Sequence, residues 1–173
     1  MEGVPGLAAF PREDHAILAV FRVCDVKGRA INEASDRDLV ESTLARAFEV
    51  ETFEFAPLLE QARQRIHYRR LHELEFPTGI AIDNKAHPVC TLIQIETPDR
   101  VGLLYDLLTA LGKEGANIAL SRISTQKGAA VDTFYITDST TRGKITDSNR
   151  IAALQQHLRA AIMSGAARSS LPE

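Results

Sequence analysis

Residues 89–125 constrain the fold of this chain more than any other stretch, because their hydrophobic pattern changes from a strand period to a helical period and back. Apolar Ile93 and Ile95 alternate with polar neighbours, which predicts a half-buried strand. Pro98 cannot donate a hydrogen bond to a sheet, so the strand is expected to end there. The whole stretch therefore predicts a strand–helix–strand unit.

The helix of this unit is expected to begin behind Asp99, because aspartate commonly caps a helix N-terminus. One apolar stripe follows at helical spacing, made of Val101, Leu104, Leu107, Leu108 and Leu111. Gly115 is expected to cap the C-terminus, and β-branched residues predict a returning strand over 118–125. The helix N-terminus would leave unpaired amides near residues 101–103, and such a place suits a carboxylate.

The segments on either side predict the remaining elements of the chain. In chain order they are a strand over 15–25, a helix from about residue 35, a connecting helix within 51–76, strands over 79–83 and 129–138, and a helix over 148–163. The first fifteen residues are expected to be irregular. The basic side of the connecting helix is typical of a solvated surface.

An internal repeat indicates how these elements are organised. A-I-L-A-V-F-R-V-C-D near the N-terminus parallels A-A-V-D-T-F-Y-I-T-D, and a glycine-containing loop and an amphipathic helix follow each segment. The first copy lacks the strand–helix–strand block of the second. Either this copy is truncated, or the chain begins inside a longer protein. The predicted regions are a partial first unit over 1–50, a linker over 51–76, a complete domain over 77–164 and a flexible tail over 165–173.

Charge and composition exclude several classes of protein. The formal net charge of −3 gives no electrostatic reason to expect nucleic acid or an anionic membrane surface as partner. No apolar run is long enough to predict a membrane span, and the N-terminus lacks the pattern of a signal peptide. Cys24 and Cys90 are isolated in apolar stretches, which favours reduced thiols and a cytoplasmic location.

The motifs of catalytic and metal sites are missing from the sequence. The sequence contains neither G-x-x-x-x-G-K-[ST] nor G-x-G-x-x-G, the two common phosphate-binding loops. The histidines do not fall at the spacing of metal ligands. Thr97 and Asp99 could indicate acid–base chemistry, but helix capping explains Asp99 without catalysis. We therefore expect no cofactor, no metal and no catalytic residue in this chain.

T-P-D-R-V-G-L-L-Y-D-L followed by G-A-N-I-A-L-S-R-I-S-T resembles an ACT domain, a small βαββαβ module that senses amino acids. With P-T-G-I-A-I-D-N before it and K-G-A-A-V-D-T-F-Y-I-T-D after it, the chain resembles the C-terminal tandem ACT region of PII uridylyltransferase/uridylyl-removing enzymes. The resemblance covers about residues 16–163 and is strongest over 77–140. It implies an α+β, ferredoxin-like fold with helices on one face of an antiparallel sheet, and a regulatory function without catalysis.

The resemblance also implies a ligand site. Its loop would comprise Thr97, Asp99, Arg100, Val101, Gly102, Leu103 and Leu104, faced by Asn117 and Ile118. The implied effector is an amino acid, with glutamine first. Gly102 would let a carboxylate approach the helix amides, and Asn117 offers a donor and an acceptor. The family pattern has proline where Val101 stands, so the turn is expected to be looser here. Alternatively, Gly102 and Asn117 serve only packing and turn formation.

A ferredoxin-like sheet needs four strands, and residues 90–163 supply three. We predict that residues 79–83 fill the fourth place, which gives a permuted βαββαβ order. The face away from the helices would carry Leu92, Gln94 and either Val131, Thr133 and Tyr135 or their alternates. That face is too apolar to remain in water, so a homodimer through the ACT sheets is expected.

Three functional classes remain open at this point. The first is a ligand-sensing regulatory module, and the second is a dimerisation module with an inert ligand loop. The third is an RNA-binding βαββαβ domain, which is disfavoured by the acid within A-V-D-T-F-Y and by the negative net charge.

Overall fold

The structure is a computed structural model that describes residues 8–11, 17–20, 29–30, 33–49, 53–65 and 77–170. It divides into two compact units, residues 1–21 with 70–173 and residues 22–69. The elements are β1 (Ala8–Pro11), β2 (Ile17–Val20), α1 (Ala34–Glu49), α2 (Ala56–Arg65), β3 (Gly79–Asp83), β4 (Thr91–Pro98), α3 (Leu103–Lys113), β5 (Ala116–Arg122), β6 (Thr125–Gln126), β7 (Ala129–Asp138) and α4 (Ser148–Ser170).

The larger unit is built on one antiparallel sheet with the strand order β2-β1-β5-β7-β4-β3, and β6 pairs with β7. β3 lies along β4, with Gly79 opposite Glu96 and Asp83 opposite Leu92. The prediction that residues 79–83 fill the fourth strand place is therefore confirmed. The α+β, ferredoxin-like fold is confirmed as well.

Alternation along β4 and β7 decides which side chains α3 and α4 cover. Ile93, Ile95 and Phe134 are almost fully buried and pack with the leucines of both helices. Each such side chain contributes about 1.5–3 kcal/mol by leaving water. On the opposite face, Leu92 lies across from Tyr135, while Gln94 lies across from Thr133. Of the two predicted alternatives for β7, the one with Val131, Thr133 and Tyr135 on this face is correct.

The buried stripe of α3 differs from the predicted one. Its buried residues are Leu103, Leu107, Ala110 and Leu111, whereas Leu108 is 38% exposed. The helix begins at Leu103, so the buried face is rotated from the stripe drawn through Val101 and Leu108. At the other end, Gly115 has a φ of 65° directly after the C-cap residue Glu114, in agreement with its predicted role.

Two stretches near the chain ends are more regular than predicted. α4 runs to Ser170 and takes in residues 165–170 of the predicted tail, although Gly165 is poorer in a helix than alanine by about 1 kcal/mol. β1 lies within the stretch predicted to be irregular, and it joins the edge of the sheet with Ala8 opposite Arg122. An open edge strand offers unpaired backbone groups to such a segment.

The smaller unit contains α1 and α2. None of the side chains of α1 is buried, and Val40, Leu44 and Phe48 are 40%, 40% and 83% exposed. The helix of the second copy of the repeat, α4, instead buries Leu154, Leu158 and Ile162 in the core. The partial first unit over 1–50 stays a prediction. Of the predicted strand over 15–25 only residues 17–20 are described, and residues 66–76 of the predicted connection lie outside the described ranges.

Candidate functional site

The connection between β4 and α3, residues 99–102, is a tight turn. The carbonyl of Arg100 accepts a hydrogen bond from the Leu103 amide at 3.2 Å, and Gly102 has φ 80° and ψ 2°. These values are those of a type II turn, which requires a residue that tolerates positive φ at the Gly102 position. Gly102 is the N-cap residue of α3 and makes no side-chain cap. The prediction that Asp99 caps the helix is wrong, because the turn separates Asp99 from Leu103, the first residue of α3.

Asp99 instead fastens the turn to its neighbours. Its amide donates to the Gly128 carbonyl at 2.9 Å. One carboxylate oxygen accepts the Arg100 amide at 2.8 Å, and the other accepts the Thr125 hydroxyl at 2.7 Å. The Asp99 side chain is half-buried, so part of its negative charge faces solvent beside the turn.

Free amides at the start of α3 are fewer than the sequence suggested. The Leu103 amide is occupied by the Arg100 carbonyl. Within the described part of the chain, the amides of Val101 and Gly102 have no acceptor. These two groups are available to an anionic ligand atom, because the N-terminus of a helix favours negative charge.

Several predicted ligand residues face the core. The Thr97 side chain is 1% exposed, and its hydroxyl lies 2.9 Å from the hydroxyl of Thr78. Leu103 is 2% exposed, and Leu104 is partly buried against the same core. Through their side chains these three residues shape the base of the loop.

The Arg100 side chain also turns inward. The side chain is 9% exposed, and its guanidinium forms an ion pair with Asp106 at 2.7 Å. It donates to the Val101 carbonyl at 3.3 Å and to the Ala161 carbonyl at 3.2 Å. In this arrangement its charge is neutralised within the chain.

Asn117 and Ile118 lie at the opposite end of the sheet from the turn. Asn117 is opposite Thr137 of β7, whereas Thr97 is opposite Ala130 of the same strand. The strand from Ala130 to Thr137 is about 23 Å long at about 3.3 Å per residue. One copy of the chain therefore does not bring Asn117 and the turn together.

One residue beside the turn was not among the predicted site residues. Asp132 is 2% exposed on the helix-covered face of β7, and its carboxylate accepts the Ser124 amide at 3.3 Å. Burial raises the pKa of Asp132 to about 6; the Ser124 hydrogen bond opposes that rise, and the charge of Asp99 adds to it. The signal was present in the sequence, because Asp132 shares the alternation of the apolar residue Phe134.

Across the described ranges, no group of three or more histidine, cysteine, aspartate or glutamate side chains could hold a metal ion. No helix among these residues combines the length and the apolar character needed to cross a membrane.

Comparison with known families gives a match to the strands β3–β7 and the helices α3 and α4. A family model described as "ACR9-like, ACT-like domain" matches residues 79–167. The match contains β3, the turn and most of α4. No solved structure gives a significant match to the chain.

Curated relatives carry the name bifunctional uridylyltransferase/uridylyl-removing enzyme. The protein of Cereibacter sphaeroides is 40% identical over 58% of this chain and 11% of its own length. The Azospirillum brasilense protein is 32% identical over 82% of the chain and 15% of its length. That of Phenylobacterium zucineum is 28% identical over 96% of the chain and 17% of its length. The chain thus spans less than a fifth of these relatives.

Proposed function

The chain belongs to the family of ACT-like domains, and from this premise we propose that it senses an amino acid, glutamine first, on behalf of a uridylyltransferase/uridylyl-removing enzyme. Its match to these enzymes is to a regulatory ACT-like region, not to the catalytic one. The observation that carries the proposal is the pair of amides of Val101 and Gly102 beside the half-exposed carboxylate of Asp99.

The chemistry of this loop suits a ligand that carries both charges. The two amides at the start of α3 would donate hydrogen bonds to the carboxylate of an amino acid. Asp99 would attract its ammonium group, since no cation is paired with Asp99 in the described part of the chain. A simple anion would lack the second interaction and would meet the negative charge of Asp99.

In this proposal glutamine reports nitrogen status to an enzyme that adds UMP to a PII protein and removes it. Binding at the loop would shift the enzyme between these two activities. We place this function in the cytoplasm, because Cys90 is a free, buried thiol and such thiols are typical of a reducing compartment.

A second copy of the chain is part of the proposal. Asn117 and Ile118 could reach a ligand only at the loop of another copy, because their own loop lies about 23 Å away. The sheet face that carries Leu92 and Tyr135 is the surface we assign to a homodimer. The expected mass in solution is therefore that of a dimer.

Thermal unfolding with added amino acids tests the sensing function. A ligand at 100 times its dissociation constant adds about 2.7 kcal/mol of stability. For a chain of this size that corresponds to a rise in Tm of roughly 5–10 °C. Glutamine should give such a rise, and amino acids of other side-chain chemistry should give less.

Two matched glycine variants distinguish loss of ligand binding at the loop from a general change in stability. Gly102→Val places a side chain over the turn amides and should abolish the glutamine shift measured from its own ligand-free Tm. Gly112→Val lies on α3 with open space around its Cβ and should retain the shift. A shift that survives Gly102→Val, or no shift at millimolar glutamine, would refute sensing at this loop.

The second candidate is a dimerisation module with an inert loop. It is favoured by the inward side chains of Thr97 and Arg100 and by the distance of Asn117 from the turn. It predicts a dimer whose stability does not respond to any amino acid.

A further inference from the structure

Arg100 joins the turn to a distant part of the chain. The residue belongs to the turn that leads into α3, yet its guanidinium reaches α4, which follows some 60 positions later in the sequence. The Arg100 side chain is 9% exposed. The side chain of its ion-pair partner Asp106, in the first turn of α3, is 12% exposed. A charge-assisted contact so well removed from water is stronger and more directional than a surface ion pair.

The guanidinium binds backbone groups in the second half of α4. It donates to the Ala161 carbonyl at 3.2 Å and to the Ile162 carbonyl at 3.4 Å. A carbonyl oxygen has two lone pairs, so each can accept this bond in addition to the helical one. Arg100 is therefore fastened to α4 at two successive residues.

Gly165 makes this approach possible. A Cβ at position 165 would lie 1.8 Å from the guanidinium nitrogen Nη2, 2.2 Å from Cζ of Arg100 and 2.4 Å from Oδ2 of Asp106. Glycine is a poor residue for the interior of a helix, and here any side chain would displace the ion pair. The glycine on α4 and the arginine in the turn thus form one contact.

We propose that Arg100 is a positioning residue that couples the conformation of the 99–102 turn to the order of the last turns of α4, residues 165–170. The coupling itself does not depend on ligand binding. Its use as a signal rests on the function proposed above, in which an effector binds the turn. The last turns of α4 are then the element through which occupancy of the loop reaches the rest of the protein.

The physical basis is that the turn and the ion pair share one residue. The Arg100 carbonyl closes the type II turn by accepting the Leu103 amide, and its side chain holds α4. An anion at the Gly102 amide would stabilise the same turn. A turn held in one conformation keeps the guanidinium in place over Gly165.

Hydrogen exchange of the full chain, followed by mass spectrometry, tests the coupling without ligand. Arg100→Met keeps the length of the side chain and removes its charge and donors. It should speed exchange at least tenfold at the Leu103 amide, which is hydrogen-bonded in the turn, and also in residues 165–170. Arg159→Met, an exposed arginine on the same helix, is the matched control and should change neither region. Faster exchange in the turn alone would overturn the proposal.

Gly165→Ala tests the same contact from the side of α4. It replaces Arg100→Met in the exchange experiment if that variant does not fold. Although alanine favours a helix, the variant should speed exchange of the Leu103 amide in the turn at least tenfold by displacing the guanidinium. Unchanged exchange of that amide would contradict the coupling.

Glutamine, at millimolar concentration, is the probe for the signalling step. In the wild-type chain it should slow exchange in both regions at least tenfold, and in Arg100→Met only in the turn. If glutamine protects no region of the wild-type chain, the proposed effector is wrong, while the ligand-free comparison still decides the coupling. If glutamine protects both regions equally in Arg100→Met, the positioning function of Arg100 is refuted.

Discussion

Asp132 makes the stability of this protein depend on pH in a direction opposite to that of most carboxylates. Its side chain is buried between the sheet and the helices, and its folded-state pKa is about 6 against an ordinary value of 3.8. Because the folded pKa is raised, the protonated form is favoured by folding. The stability that this group contributes is fully present below about pH 3.8 and is lost as the pH rises through 6.

The size of the effect follows from the two pKa values. At 1.36 kcal/mol per pH unit, a rise from 3.8 to about 6 corresponds to a loss of about 3 kcal/mol above pH 7. Asp132→Asn resembles the protonated acid and can still accept the Ser124 amide. At pH 7.5 the variant should therefore be more stable than wild type by up to about 3 kcal/mol. Near pH 4 the two proteins should be almost equal in stability.

Urea denaturation from pH 4 to 8 measures this difference, because the midpoint and slope give the free energy of unfolding at each pH. Other groups also contribute to the pH dependence of stability, so the quantity to follow is the difference between wild type and Asp132→Asn. Glu41→Gln removes an exposed carboxylate from α1 of the smaller unit and is the control. A difference between wild type and Asp132→Asn that stays constant across the pH range would refute the reasoning.

Two further predictions concern the turn and the repeat. Val101→Pro should raise the free energy of unfolding by about 0.4–1 kcal/mol, since proline suits the second position of a type II turn and the Val101 amide has no acceptor in the described residues; a lower Tm would contradict this turn type. Leu44→Glu on α1 should change stability by less than about 0.5 kcal/mol, because its side chain is 40% exposed, whereas Leu158→Glu on the buried face of α4 should prevent folding. Chemical denaturation of both variants measures the change in the free energy of unfolding. Equal changes in the two variants would contradict the exposure of the apolar side chains of α1.

Both helices and most strands of the larger unit were predictable because their signals are local. Alternation of Ile93 and Ile95 defines β4, and Gly115 ends α3 as expected. The permuted strand β3 could also be inferred, since the count of strands left one place vacant in a sheet that needs four. The boundary of α3 could not, because it depends on a turn whose type is set by backbone angles at Gly102.

The candidate site was predicted only in part. The loop itself is where the motif placed it, and Gly102 is required there by its positive φ, whatever binds. The sequence carried no sign that Thr97 would be occupied by Thr78 or that Asn117 would lie at the far end of the sheet. Both facts depend on strand register, which links residues that are distant in the chain.

By itself the sequence determined the order of the main elements from β3 to α4, the ferredoxin-like class and the position of the loop, because hydrophobic period, turn chemistry and helix termination act over a few residues. Only the tertiary structure decided that Arg100 points into the protein and that Gly165 is its contact on α4. It also placed Asp132 under the helices with a raised pKa. The reason is physical: Arg100 and its contacts on α4 are some 60 residues apart in the chain, and no local pattern indicates which distant groups will meet.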